Sequence, residues 1–466
     1  MNFKKTVLLA CVLVAAVLYL TKVSEPRRKA ELEKDKLFAA VDVTQVSRLS
    51  ETPKEGAPYS IMSVGAGEGS PAWAFTDLPT AKLDDGAVGG LISTLKGLTF
   101  EGPLSDAEVG GDLAIFGLAS PTLTITLQLK DSSQKEVAFG KRSEYLNKRY
   151  AKVSGAPGLY LVDEAAFQSL NKGRTDIRDK TPISFNTADV REVILDSSFG
   201  RIVITQPAVG EWKVLDSEPR AGSKQDIEIL LSNARDLTVE EFVDGGEARL
   251  SEFGLDKPTT TMAIKLRDGL KESSIRVIVG EVPNSKGTFF TYDGAPSVFK
   301  VADEKVIPLR KGVIDLRDRK LLNGQAKEIE KLVSGGTASE PVEIQAAAMD
   351  WTVNGKMSDP VFVEELLTNV SNLTATDFPK SVPQDAFAQP FLVLTLTKKQ
   401  GLGGEATVVS VGKETSTDQG PARYVRVGEQ GEVALIRDVE AKRVIPHEEV
   451  LVQRPTPTPA SAQAAR

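Results

Sequence analysis

Runs of alternating apolar and polar residues dominate the chain, and they recur in the same order three times. Leu123, Ile125, Leu127 and Leu129 are separated mostly by Thr and Gln, and the pattern returns at Met262, Ile264 and Leu266 and at Leu392, Leu394 and Leu396. A period of two puts such residues on one face of a strand, so each run predicts a half-buried β-strand. Other stretches step by three and four. Val88, Leu91, Leu95 and Leu98 follow Asp85, while Ile227, Leu230, Ala234 and Leu237 follow the S-x-x-D signature of Ser223 and Asp226. In the third stretch Phe362, Leu366, Val370 and Leu373 follow Asp359 and Pro360. Each predicts a capped amphipathic helix with one buried face.

The three tryptophans, Trp73, Trp212 and Trp351, stand 139 residues apart, each in a short run that favours a strand. After each helix comes a turn signal: Phe116-Gly117-Leu118-x-x-Pro121, Phe253-Gly254-Leu255-x-x-Pro258, and a degenerate Phe387-Ala388-Gln389-Pro390. Strands ending in Val137-Ala138-Phe139-Gly140, Val277-Ile278-Val279-Gly280 and Val409-Ser410-Val411-Gly412 come next. Arg149-Tyr150, Phe289-Phe290 and Arg423-Tyr424 open a further strand, and Arg178-Asp179 recurs as Arg317-Asp318. The expected fold is α+β: an N-terminal transmembrane helix, then three tandem repeats, each a mostly antiparallel sheet with a packed amphipathic helix. The boundaries read as an anchor at 1–24, a charged stalk at 25–41, repeats at 42–181, 182–322 and 323–450, and a Pro/Ala tail at 451–466. Trp73, Trp212, Trp351, Gly117, Gly254, Pro121, Pro258 and Pro390 are its structural anchors. Because a fold that repeats must repeat its packing, the three indoles are expected in the core rather than in a sugar-stacking row.

This order of strand Trp, capped helix, aromatic-Gly-Leu-x-x-Pro turn, V-x-V-G strand and Arg-Asp pair resembles a bacterial domain-of-unknown-function family, DUF4340. The resemblance runs over about residues 42 to 450 and is most specific in the second repeat. Members are repeated within membrane-anchored proteins and are often encoded beside components of gliding-motility-type ABC transporters. The resemblance therefore implies an accessory envelope role, and it supplies no catalytic residues.

The N-terminus changes the picture of location. Lys4 and Lys5 precede sixteen uncharged residues from Thr6 to Thr21, followed by Lys22, Arg27, Arg28 and Lys29. As a helix that run spans about 24 Å, just enough to cross with its lysines snorkelling. Val17-Leu18-Tyr19-Leu20-Thr21-Lys22 has no small-residue cleavage site, and Leu8-Leu9-Ala10-Cys11 resembles a lipobox only within a longer apolar run. Cleavage and lipidation stay as alternatives. The favoured reading is an uncleaved signal anchor in the bacterial inner membrane with the body in the periplasm.

Composition mostly excludes. The 57 basic and 64 acidic side chains give a net charge of -7, without the basic excess of a nucleic-acid binder. One histidine, His447, and one cysteine, Cys11, leave no zinc cluster, Cys-His dyad or Ser-His-Asp triad. Gly65-Ala66-Gly67-Glu68-Gly69 misses the G-x-G-x-x-G pattern, and the adjacent pairs Glu240-Glu241, Glu364-Glu365 and Glu448-Glu449 point apart on any regular element. No catalytic, cofactor-binding or metal residues are assigned. Two functions remain open: a non-enzymatic platform for protein partners such as ABC-type transporter components, and a periplasmic binding protein for a glycan, lipid or peptide lodged between repeats. One apolar patch on a polar surface would favour the first, an apolar groove the second.

Overall fold

The computed structural model describes residues 35–38, 41–67, 70–104, 112–215, 218–283, 287–347, 350–399 and 406–452. Its strands fall into three sheets, and 42% of the chain is strand against 21% helix. The first comprises β1 (Val46–Pro53), β2 (Tyr59–Gly67), β3 (Ser70–Phe75), β4 (Glu101–Leu104), β5 (Leu123–Leu129), β6 (Gln134–Arg142), β7 (Lys148–Val153) and β8 (Leu159–Asp163). They lie in the order β3-β2-β1-β5-β6-β7-β8-β4, every pairing antiparallel. Sequential hairpins account for most of this order. The exceptions are the β1–β5 pairing, which encloses helix α1 (Asp85–Gly97), and the β8–β4 pairing at the edge.

By packing, the chain divides into two compact units. One takes the chain up to Ser198 together with Leu230–Arg310, and the other takes Phe199–Ile229 together with the chain from Lys311 onward. The first unit holds the first sheet and, from the second repeat, β9 (Val190–Ser197), β13 (Glu241–Asp244), β14 (Thr260–Asp268), β15 (Lys271–Gly280), β16 (Thr288–Tyr292) and β17 (Ser297–Val301). These pair as β9-β14-β15-β16-β17-β13. The second unit holds the hairpin strands β10 (Gly200–Ala208), β11 (Glu211–Leu215) and β12 (Pro219–Ala221). It also holds the third sheet: β18 (Ile329–Gly335), β19 (Glu343–Ala346), β20 (Trp351–Val353), β21 (Lys356–Met357), β22 (Leu392–Lys398), β23 (Ala406–Thr417), β24 (Gly420–Val427) and β25 (Val433–Arg437). Their order, β21-β20-β19-β18-β22-β23-β24-β25, repeats that of the first sheet with β21 added at one edge and no counterpart of the outer strand β4 at the other. A single bridge, Asp377 to Leu435, replaces that strand.

The helices form where caps and stripes predict them. Asp84, rather than Asp85, caps α1 by accepting from the Ala87 amide at 2.9 Å. Ser223 and Asp226 cap α2 (Lys224–Arg235), and Asp359 accepts from Val361 N at the start of α3 (Pro360–Ser371). The expected stripes of α1 and α2 are buried throughout. In α3 the buried face is Val363, Leu366, Leu367 and Val370, and Phe362 is exposed.

Gly117 and Gly254 adopt φ of 68° and 67°, and a Cβ on Gly254 would lie 2.4 Å from the Glu281 carbonyl oxygen. Only glycine fits such a turn at that distance. The third repeat solves it differently. There the Ala386 carbonyl, not that of Phe387, accepts from Lys413 N, as the Phe116 carbonyl accepts from Lys141 N. Ala386 therefore matches Phe116, and Phe387 takes the glycine position in a loop one residue shorter before Pro390. Pro121 and Pro258 each stand two residues before their strand's first residue, Leu123 or Thr260, as Pro390 does before Leu392.

The expected N-terminal transmembrane helix is corrected. The described structure is mostly antiparallel sheet, and among the described residues no helix is long and apolar enough to cross a membrane. Its helices are short and apolar on one face only, which suits packing on a sheet. The anchor at 1–24, Cys11, the stalk up to residue 34 and the tail beyond 452 lie outside the described residues. The last described part of the stalk packs on the first repeat. Phe38 is buried and stacks on Phe100 at 5.9 Å, and the Phe100 amide donates to the Asp35 carbonyl. At the other end Leu451 is buried and Val452 bridges to Ser358, extending the third repeat past residue 450.

Candidate interaction surface

The three tryptophans share a strand position but not a burial. Trp212 is buried in β11, while Trp73 in β3 and Trp351 in β20 are half-buried against the edges of their cores. Two residues on from each, Phe75, Val214 and Val353 are fully buried. In the first repeat the larger Phe75 takes the deep volume, with Tyr59 edge-on at 6.1 Å, which leaves Trp73 nearer the surface.

The recurring Arg-Asp pair marks a joint. Arg178 leaves the first repeat after bridging to Leu83 and enters the second. Its guanidinium lies 3.9 Å from the Phe242 ring centroid, and it donates to Asp244 Oδ1 at 2.7 Å and to Ser297 Oγ at 2.9 Å. Arg317 repeats the device: it bridges to Gly222, lies 3.7 Å from the Phe378 centroid and donates to Glu432 Oε2 at 2.7 Å. Both arginines are buried, so cation, ring and carboxylate act together in a poorly solvated slot. Burial lowers the Arg178 pKa, and Asp244 offsets only part of that. Substituting Arg178→Met is expected to lower stability by about 2 kcal/mol, because Ser297 loses its donor and Asp244 loses one of its cations, keeping Ser297 and Arg174. Urea melts of the full chain would show it, and an unchanged midpoint would mean the slot contributes nothing.

A second buried device holds a short helix behind each sheet. Arg149 donates to both Glu164 oxygens, at 3.1 and 2.9 Å, above the Phe167 ring. Arg423 donates to Asp438 at 2.5 Å above Phe391, and in the second repeat Thr288 donates to Asp303 at 2.7 Å. Fifteen residues separate the partners in every copy.

One buried acid departs from the repeat pattern. Opposite Ile125, Met262 and Leu394 the first strands of the three repeats carry Glu51, Leu195 and Ser334, all buried. Glu51 is only 1% exposed. The Tyr59 hydroxyl and the Lys172 backbone lie near enough to lower its pKa slightly, yet neither completes a hydrogen bond of normal geometry. Burial dominates and pushes the carboxyl up to about 8.

Four exposed apolar residues gather at one place in the third repeat. Met357 ends β21, Val361 and Phe362 open α3, and Val450 lies on the helix Glu448–Leu451, which packs beside α3. Their exposures are 63%, 68%, 45% and 50%. The segments are tied by the Ser358–Val452 bridge and by the Asp359 amide, which donates to the Leu451 carbonyl at 2.7 Å. At the same helix positions the first repeat has Gly86 and Ala87 and the second has Gln225 and Asp226. Sequence reading placed Phe362 on a buried stripe; comparing the helix starts across repeats is the signal that finds the patch. Beside it lies a cleft of about 640 Å³ lined by Glu340, Lys356, His447 and Glu448, among others. Glu448 is held ionised, its pKa lowered first by Lys356 and then by Asn354, which donate at 2.6 and 2.7 Å. His447 is exposed on the wall of that cleft.

Chemistry-bearing residues do not converge on this surface. Among the described residues no three His, Cys, Asp or Glu side chains are grouped as metal ligands. Of the surface carboxylate pairs, Glu241 meets Lys300 at 3.5 Å. No curated protein and no solved structure matches the chain. The model of one family matches twice, over residues 73–224 and 212–390, so that each match begins at a strand tryptophan. Together the matches cover more than half of the chain, which belongs to the family described as Domain of unknown function (DUF4340).

Proposed function

We propose that the protein is a non-catalytic interaction platform of the bacterial envelope, its third repeat docking a protein partner. ABC-type transporter components are the partners that the family resemblance implies. The apolar patch of Met357, Val361, Phe362 and Val450 carries this reading. Single exposed apolar residues are ordinary on a soluble surface, whereas a group of them at one place marks a contact. The fold does not require these residues, since the other two repeats build the same helix start from Gly, Ala, Gln and Asp. The interlocked joints at Arg178 and Arg317 suit a scaffold whose repeats hold a fixed order along the chain.

A photo-crosslinking residue at Phe362, in cells that make the protein, should capture a transporter subunit. A Val361→Asp change should abolish the product, and the same crosslinker at exposed Gln225 should give none. Products identical at both positions, or none at Phe362, would remove the basis of the reading.

A further inference from the structure

The opposite end of α3 carries a second departure from the repeat, and this one opens a cavity. Five residues before the first strand of each repeat stand Val41, Phe185 and Gly324. Val41 and Phe185 are buried, and in the third repeat the corresponding side chain is missing. Opposite the first residue of that strand the repeats place Leu129, Leu266 and Lys398. Two apolar contributors have thus been replaced in one copy, one by nothing and one by a cation.

The result is a cavity of about 230 Å³ within the third repeat, walled by Leu321, Leu322, Ile329, Leu396 and Val427, with Lys398 at its edge. A cavity of about 150 Å³ lined by aliphatic side chains accepts benzene, so this one takes a phenyl ring and a short arm. It shares Leu322, Asn323, Gly324, Gln325 and Ser371 with an outer cleft of about 490 Å³, where Lys320 and Lys327 stand. Lys398 Nζ donates to the Asn323 carbonyl at 2.8 Å and lies 3.4 Å from Glu328 Oε2. Glu328 offsets one of these three ammonium groups, and the mouth as a whole stays cationic.

We infer that this cavity and its mouth form a binding site for a small amphiphilic carboxylate, with its apolar end against Leu396 and Val427 and its charge toward Lys320, Lys327 and Lys398. Apolarity comes from the aliphatic wall and sign from the lysines, with the Lys398 ammonium lying beside the position that a side chain on residue 324 would take. The site is separate from the patch at the helix start, so binding here and docking there can fail independently.

The probe is 3-phenylpropanoate, titrated calorimetrically into the full chain alongside its neutral amide. Saturable binding of the carboxylate is expected, about tenfold tighter than the amide, with that preference lost in Lys398→Met. Methyl chemical shifts should move at the wall residues Leu321, Leu322, Ile329, Leu396 and Val427 and stay still in the first two sheets. Val427→Trp, which fills the cavity, should end binding; the methyl shifts give the same answer in the unaltered protein if this variant does not fold. Absence of saturable binding, equal affinity for acid and amide, or shifts spread over other repeats would each overturn the assignment.

Discussion

Trp212→Ala is expected to lower stability by about 3 to 5 kcal/mol, the range for deleting a fully buried aromatic side chain. Trp212 is 4% exposed, so the deletion leaves a cavity rather than a surface dimple. Trp73→Ala and Trp351→Ala should cost roughly half as much, because their indoles already lie partly in water. Trp212→Phe should recover a good part of the loss, since the indole Nε1 has no hydrogen-bond partner among the described residues. Denaturant melts of the four variants would rank them. Equal effects at all three tryptophans would show that burial does not set the order, and a Trp212→Ala protein as stable as its parent would remove the indole from the core altogether.

Glu51→Leu is expected to act in the opposite direction, raising stability by about 3 kcal/mol at pH 7. The sign follows from linkage. Glu51 titrates at about 8 in the folded chain, whereas an unfolded glutamate ionises near its ordinary value, so the folded state holds the proton more tightly. Stability associated with this group is complete below about pH 4.5, falls as the unfolded chain ionises, and reaches its floor above about pH 8. Replacing it with the residue that the second repeat uses at Leu195 removes that fall. The difference between variant and parent should therefore grow from pH 5 to pH 8, as thermal melts across that range would reveal. A constant difference, or destabilisation at pH 8, would place the carboxyl in a hydrogen-bonded network instead.

Much of this architecture could be read from spacing and alternation. The 139-residue interval between tryptophans and the two-residue period of the strands need no structural knowledge, because a repeated core demands repeated side chains at fixed intervals. Short elements escaped: Glu164–Leu170, Asp303–Val306 and Asp438–Arg443 are helices of one or two turns, too brief to show a period. Thr288, one residue before the Phe289-Phe290 pair, matches Arg149 and Arg423, and the acid fifteen residues on, rather than the neighbouring aromatic, sets this register. Glu51 escapes for a related reason: between Ser50 and Thr52 it reads as one more exposed polar residue, and only its partner Ile125 shows which face it takes. The patch and the lysine-rimmed cavity are differences between copies, which a search for what the copies share passes over.

The slot that receives Arg178 and Arg317 also makes the array countable. Each slot receives the end of the copy before it through the same two features, a ring and a carboxylate, and not through anything peculiar to one neighbour. An ancestral duplication ending at such a joint would have carried its own coupling with it. Inserting or removing an internal copy leaves the arginine before the seam a ring to cover and an acid to meet, so the number of repeats is a quantity evolution can change without redesigning that seam.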